Sequence, residues 1–369
     1  MKIICNTQRL SEACQNVQRA VSTKAAIPSI EGILFQADNN RLSLAGYDLE
    51  VGITTVLEAK TEENGSVVLN ARLLCDILRR LPEERVLIEV DEHQLCKIKS
   101  GDAEFSLIGL SADDFPELPS VTGGMPLFIK QAILKDMIRQ TIFAVSKNDS
   151  KAVHKGIKFE LSPNNLKLVA VDGFRLAIRN EVVEYAGEDI SFVVPAKTLS
   201  EVIKLTDEDD ENIALGVGKR HISFELGGYN IISRLLDGEF LDYKAAIPSV
   251  SSTVVIVNHK LLSQSIDRNS LMITDNTKSP VRCIFDDNII KISSTTALGT
   301  SSDRIPASVE GTRIEIGFNS TYFLDALSAC DTDEIKIEFS GPVSPIIIKP
   351  TDGDSFLFLV LPMRLKNEN

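Results

Sequence analysis

VLNARLLCDILRRLP, residues 68–82, returns in altered form as VVPAKTLSEVIKLT at 193–206 and as IGFNSTYFLDALSAC at 316–330. Asn70, Pro195 and Asn319 correspond, at intervals of 125 and 124 residues. In each copy a short apolar strand pattern runs into an amphipathic helix and then a charged turn: Glu83 and Glu84, Asp207 to Glu211, Asp331 to Glu334. Self-similarity at a fixed period sets the architecture, so it outranks any local reading.

A second helix keeps the same period. TQRLSEACQNVQRAV, residues 7–21, aligns with QAILKDMIRQTIFAV at 131–145, pairing Leu10 with Leu134 and Val21 with Val145, and a third copy is HKLLSQSIDRNSLM at 259–272. Strand patterns follow each helix. Asn39-Asn40, Asn164-Asn165 and Asp286-Asp287-Asn288 mark a tight turn in every copy, because these side chains tolerate left-handed backbone. DDFPELPSV closes the first unit at Val121 and EFLDYKAAIPSV the second at Val250, each with a Pro that discourages further pairing. The expectation is an α+β chain of three repeated domains, 1–122, 123–250 and 251–369, each with two helices packed on antiparallel sheets.

Composition bounds the rest. Hydrophobic residues make up 43% of the chain and charged residues 25%, which fits folded domains rather than disorder. No apolar run reaches the roughly 20 residues needed to span a bilayer, and the opening MKIICNTQRL lacks a signal-peptide core. A cytoplasmic protein without membrane partners is expected. The six cysteines and four histidines are scattered, without a Cys-x-x-Cys pair, so neither a metal site, a disulfide framework nor a cofactor is expected.

A net charge of −13 argues at first sight against nucleic acid. The charges are unevenly placed, however. The first helix buries Leu10, Ala13, Cys14, Val17 and Val21 and presents Arg9, Gln15, Asn16 and Arg19; the second buries Leu74, Ile77, Leu78 and Leu81 and presents Arg72, Arg79 and Arg80. In the middle unit Leu134, Met137 and Ile138 point inward, with Lys135 and Arg139 outward. Summed, the six helical segments are net positive, so the remainder is more acidic than the whole. A weakly basic helical surface on an acidic body would hold few phosphates, and each contact steepens the salt dependence by only about 0.9, which permits sliding.

The ending LVLPMRL (359–365), AVDGFRLA (170–177) and VSTKAAIPSI (21–30) together resemble the beta-subunit family of bacterial DNA polymerase III, the sliding clamps. The resemblance covers residues 1–365. It implies a ring formed by a head-to-tail homodimer, helices lining the hole and sheets outside, with double-stranded DNA, the polymerase III alpha subunit, a clamp loader and other replication and repair proteins as partners. It implies no catalysis.

Carried over position by position, the resemblance assigns a peptide-binding pocket to His154, Val171, Gly173, Phe174, Arg175, Leu176, Leu241, Val343, Pro345, Val360, Pro362, Met363, Arg364 and Leu365. Leu176, Val360, Met363 and Leu365 are expected to wall a cleft, with Arg175 or Arg364 bonding the ligand. Two anchors at about 1.5–3 kcal/mol each, less ordering costs, suit an exchangeable partner of micromolar affinity. Phe174 stands where the family often has His, Leu241 where Pro is usual and Ala245 where Arg is common, which leaves the rim undetermined. The resemblance assigns DNA contact to Lys24, Arg72, Arg79, Arg80, Lys147, Lys151 and Lys197, and the dimer interface to Phe105 and Leu107 against Leu271 and Met272 of a second copy.

Two other readings stay open at this point. GVGKR (216–220) lacks the glycine and hydroxyl spacing of a phosphate loop and reads as a hairpin turn, and Asp172 reads as a turn residue rather than a catalytic acid. A protein-binding scaffold that never meets DNA is the alternative to the clamp.

Overall fold

The computed structural model describes residues 1–121, 126–148, 151–206, 211–273 and 279–365, so most of the charged turn at 207–211 and the tail 366–369 lie outside the described residues. Its α-helices are α1 (Thr7–Val17), α2 (Ala71–Leu78), α3 (Gln131–Ile142), α4 (Ala196–Leu205), α5 (His259–Ser270) and α6 (Ser320–Ser328). Four of them start on the same device. The side-chain oxygens of Asn6, Asn70, Asn258 and Asn319 accept from the backbone N–H three residues on, at 3.0, 3.0, 3.0 and 3.3 Å. Such a cap satisfies a donor that the helix leaves open and is worth about 1 kcal/mol.

The chain forms two compact units. The first comprises residues 1–132 and 197–235, the second 133–196 and 236–369, so the middle repeat is shared between them. In the first unit a five-stranded sheet runs in the order Lys60–Glu63, Lys2–Asn6, Arg85–Val90, Leu95–Ser100, Ala103–Ile108. An eight-stranded sheet runs Leu127–Lys130, Asn212–Val217, His221–Leu226, Tyr229–Arg234, Val51–Glu58, Arg41–Tyr47, Gly32–Asp38, Gly65–Asn70. Helices α1 and α2 pack side by side, α1 on the strands Arg41–Tyr47 and Val51–Glu58, α2 on Gly32–Asp38 and Gly65–Asn70. Leu10 and Cys14 of α1 and Leu74 and Cys75 of α2 are fully buried.

The second unit repeats the plan. Its nine-stranded sheet runs Ile190–Pro195, Gly156–Ser162, Asn165–Val171, Arg175–Glu181, Phe356–Val360, Ile346–Pro350, Glu334–Phe339, Thr253–Asn258, Ser308–Gly311. A four-stranded sheet runs Gly299–Pro306, Ile289–Thr296, Val281–Asp286, Ile314–Phe318, with α5 packed on α6 and on Gly299–Pro306. Every ladder is antiparallel, as the alternating strand patterns predict.

Within each large sheet, strands of successive repeats join edge to edge. Ile231 lies opposite Ile53, and Phe358 lies opposite Ala177. Ala103–Ile108, at one end of the five-stranded sheet, and Gly299–Pro306, at one end of the four-stranded sheet, each have a neighbour on one side only. The expected left-handed turns are present: Asn39, Asn40, Asn164, Asp287 and Asn288 all have φ between 48° and 61°. GVGKR is a hairpin turn, closed by Gly218 N–H on the His221 carbonyl at 2.9 Å.

Two local expectations are corrected. The first helix stops at Val17 and continues as a 3-10 turn over Gln18–Ala20, leaving Val21 extended and half-buried. A side chain at Gly46 would come within 2.5 Å of the Val17 carbonyl, so the helix end lies directly on that strand and the chain turns off it. Lys135, expected outward on α3, is buried, and only Arg139 of the pair is exposed.

Candidate functional site

The antiparallel register of the Arg175–Glu181 and Phe356–Val360 strands sets Leu176 opposite Leu359 and Arg175 opposite Val360. Successive side chains on a strand point to opposite faces. One face therefore carries Leu176, Ile178 and Leu359, which join Val169, Val171 and Ile347 in an apolar cluster covered by Tyr243. Phe240, Ile247 and Leu357 pack at its margin, and His154 sits edge-on to Phe240 with ring centroids 5.6 Å apart. Tyr243 donates to Glu160 Oε2 at 2.8 Å, and Lys158 Nζ lies 2.7 Å from Glu160 Oε1. Burial, then the Glu160 carboxylate, pushes the Tyr243 hydroxyl pKa up.

The DGFR turn frames this cluster. Asp172 Oδ1 accepts from the N–H groups of Phe174 and Arg175 at 2.9 and 3.1 Å, and Oδ2 accepts from Arg175 Nε at 2.9 Å. Both carboxylate oxygens are thus engaged in holding the turn, whose Gly173 has φ 89°, a conformation costly for a side chain. Arg175 is itself buried. Its guanidinium also bonds Asp325 of α6 and lies 4.5 Å from the Tyr322 ring centroid and 5.5 Å from that of Phe143. The group expected to reach for a ligand is consumed by internal partners, and Val360, expected to wall the cleft with Leu176, is fully buried on the opposite face of the sheet.

What the turn presents to solvent is Phe174. It is 56% exposed and stacks on Tyr322 at 5.8 Å, with the rings 26° apart. Its carbonyl accepts from Leu361 N–H at 2.9 Å, which fastens the terminal segment beside the turn. Two residues on, Met363 N–H donates to the Gly317 carbonyl at 2.8 Å, and Leu365 lies over the same glycine. Leu241, Val343 and Arg364 are exposed, while Pro345, Pro362, Met363 and Leu365 are half-buried.

The sequence reading thus placed Val171 and Leu176 in the cluster but missed Tyr243, Ile347, Leu359 and Tyr322. Period-2 alternation from Leu176 would have selected Leu359 over Val360 once the strand pairing was known. No sequence signal marks Tyr322, which meets Phe174 only through the fold.

The basic residues are all on exposed positions: Lys24, Arg72, Arg79, Arg80, Lys147, Lys151 and Lys197. Their field is tempered. Asp76 lies 3.9 Å from Arg79 and 3.5 Å from Arg80, and Lys197 pairs with Asp48. Lys24, Arg72 and Lys147 make no ion pair among the described residues. Phe105 and Leu107 sit on the open strand Ala103–Ile108, whose Ile108 is still more exposed, and Leu271 and Met272 directly follow α5. Among the described residues no cluster of His, Cys, Asp and Glu could hold a metal, and no helix is long and apolar enough to cross a membrane.

Comparison with known proteins agrees with this architecture. Residues 1–119, 128–242 and 244–364 match the N-terminal, central and C-terminal domains of the DNA polymerase III beta subunit. The beta sliding clamp of Staphylococcus epidermidis is 34% identical over 356 residues, covering 94% of each chain. The DNA polymerase sliding clamp of Bacillus subtilis superposes with a TM-score of 0.97 at 33% identity, covering 99% of this chain and 100% of that one. The putative DNA polymerase III beta subunit of Eubacterium rectale gives 0.95 at 33% identity, covering 98% and 99%. With all three repeats matched in order, this chain belongs to the DNA polymerase III beta subunit family.

Proposed function

We propose that the protein is a non-catalytic DNA sliding clamp: two copies close head to tail into a ring around duplex DNA and tether the replicative polymerase to it. The observation that carries this reading is the pair of open strand edges. Phe105 lies opposite Ile98 as Ile231 lies opposite Phe224 and Phe358 opposite Ile348, so Phe105, Ile231 and Phe358 hold one position in the three repeats. Ile53, Ala177 and Ser301 likewise hold one position. Since Ile53 meets Ile231 and Ala177 meets Phe358, the same step pairs Ser301 of one copy with Phe105 of another, Gly299 with Leu107 and Asp303 with Ala103.

Burial supports the match. Ile231 and Phe358 are fully buried whereas Phe105 is 37% exposed. Phe143, the residue after α3, meets Phe358 edge-on at 5.4 Å, and Leu271, the residue after α5, is its counterpart and 76% exposed. A second copy would bring Leu271 onto Phe105. Contacts of this heterologous kind form rings when the rotation closes.

The weakly basic helix faces suit retention by topology rather than by tight phosphate contact. The exposed Phe174, Leu361 and Leu241, together with the Leu176–Leu359 cluster, suit short apolar motifs carried by the polymerase alpha subunit, the clamp loader and repair proteins. Such partners place the protein with the chromosome, in the bacterial cytoplasm. The test is topological. Loaded on a nicked circle, the protein should survive high salt and fall off once the circle is cut; equal loss from circular and linear DNA would favour a scaffold that does not encircle DNA.

A further inference from the structure

Outside these surfaces, a cleft of about 1110 Å³ in the first unit gathers an unusual set of cations. Five strand ends and one helix build it. The ladder of Lys2–Asn6 with Arg85–Val90 ends with Asn6 opposite Arg85, and that of Arg41–Tyr47 with Val51–Glu58 ends with Arg41 opposite Glu58. Ile4 lies opposite Lys60, and Arg9 stands on the first turns of α1. Arg9, Arg41, Lys60 and Arg85 thereby line one cleft, which they share with the carboxylates Glu58 and Glu84.

Lys60 is held by Glu62 at 2.9 Å, but Arg9, Arg41 and Arg85 are exposed and make no side-chain hydrogen bond or ion pair among the described residues. Lys2, Lys158, Arg175, Arg179 and Arg268, by contrast, each have a carboxylate partner. Guanidinium groups that share a cleft without a direct ion pair keep their donors open, and their planar forks match the oxygens of phosphate. The start of α1 contributes nothing here. The Thr7 N–H is taken by the Glu84 carbonyl at 2.8 Å and the Arg9 N–H by Asn6 Oδ1 at 3.0 Å.

We propose that Arg9, Arg41 and Arg85 bind the phosphodiester backbone of a single nucleic-acid strand. A concave cleft of this volume, bounded by strand ends, suits a few nucleotides of one strand better than a duplex. Nucleic acid is favoured over an acidic peptide because Arg9 belongs to α1, the helix whose exposed face is assigned to the duplex, so the cleft continues that surface. Its biological setting, a strand leaving the duplex at the rim of the ring, rests on the clamp reading; the binding chemistry does not.

The experiment is fluorescence anisotropy of a labelled oligodeoxythymidylate with the full chain across a salt series. Wild type is compared with R9Q/R41Q/R85Q and R9K/R41K/R85K, each checked for an unchanged thermal transition. Loss of three single-strand phosphate contacts should lower the slope of log affinity against log salt by about 2, at about 0.7 per phosphate, and the lysine triple should keep most of it. A slope unchanged by the glutamine triple, or no oligonucleotide binding by wild type, overturns the proposal. So does binding of polyglutamate, but not of the oligonucleotide, that depends on the three arginines. Retention on a nicked circle at high salt is scored separately. If it persists while strand binding is absent, this site is wrong and the clamp reading stands.

Discussion

Arg175 Nε lies 2.9 Å from Asp172 Oδ2, and both side chains are almost wholly buried. With Asp325 on its other side and Tyr322 over its face, this arginine ties the turn before Arg175–Glu181 to α6. Removing one member of a buried, hydrogen-bonded ion group leaves an uncompensated charge, which costs about 3–5 kcal/mol. Arg175→Met should therefore lower the stability of the second unit by about that amount, read as a fall in its urea midpoint at unchanged m-value. Arg175→Lys keeps the charge but cannot span both carboxylates, so it should fall between the two. A midpoint unmoved by Arg175→Met would mean that the network contributes no net stability.

Phe174 allows the surface to be tested apart from the fold. Truncating it exposes no core and forfeits only its stack on Tyr322, about 0.5–1.5 kcal/mol. Phe174→Ala should weaken a clamp-binding peptide about tenfold, near 1.4 kcal/mol, in titration calorimetry, with a melting shift of only a few degrees. Leu176→Ala, within the cluster, should instead cost about 2–5 kcal/mol of stability. Equal peptide affinity for wild type and Phe174→Ala would remove Phe174 from the docking surface.

How much of this could be read from sequence depends on the distance over which each feature is decided. The turns at Asn39-Asn40, at Asn164 and at Asp287-Asn288 are set within a few residues, and the structure shows left-handed backbone where the sequence puts it. Arg175 and Asp325 are 150 residues apart, and nothing local says that a basic residue in a DGFR turn will be neutralised by a helix of the next repeat. Lys135 failed for a similar reason. Its helical position alone cannot reveal what packs over it. Val360 was misplaced because its face depends on the register with Arg175, and a one-residue slip exchanges the two faces of a strand.

The open edges predict how the dimer can be broken. Leu271→Asp removes no intramolecular packing, since Leu271 is 76% exposed in the single chain, yet it would set a carboxylate against Phe105 of the second copy. It should yield a folded monomer in sedimentation equilibrium, with retention on circular DNA lost. Ser302→Pro tests the register from the other side, because the alternation from the Thr296–Gly299 turn points the Ser302 N–H to the open edge and proline cannot donate to a ladder. A dimer that survives both changes would place the subunit contact elsewhere.

The buried thiols give the protein an alkaline limit. All six cysteines are free and buried. Burial pushes the pKa of Cys5, Cys96, Cys283 and Cys330 up to about 12 and that of Cys75 to about 11, from an ordinary value of 9.0, and raises Cys14 as well. The unfolded chain releases these protons near pH 9 while the folded chain keeps them. Stability is thus unaffected by the thiols below pH 9 and is lost as pH rises from there toward 11 or 12, by up to about 1.4 kcal/mol per pH unit for each thiol in the unit that unfolds. Urea midpoints at pH 8 and pH 10 should differ accordingly, and Cys283→Ser or Cys330→Ala, by removing one titrating group, should flatten the second unit's slope. In native protein at pH 8, a disulfide reagent should find almost no reactive thiol until urea opens the core, because only the thiolate attacks and burial suppresses it. Rapid labelling of several cysteines without denaturant would show that the cores open far more readily than their packing implies.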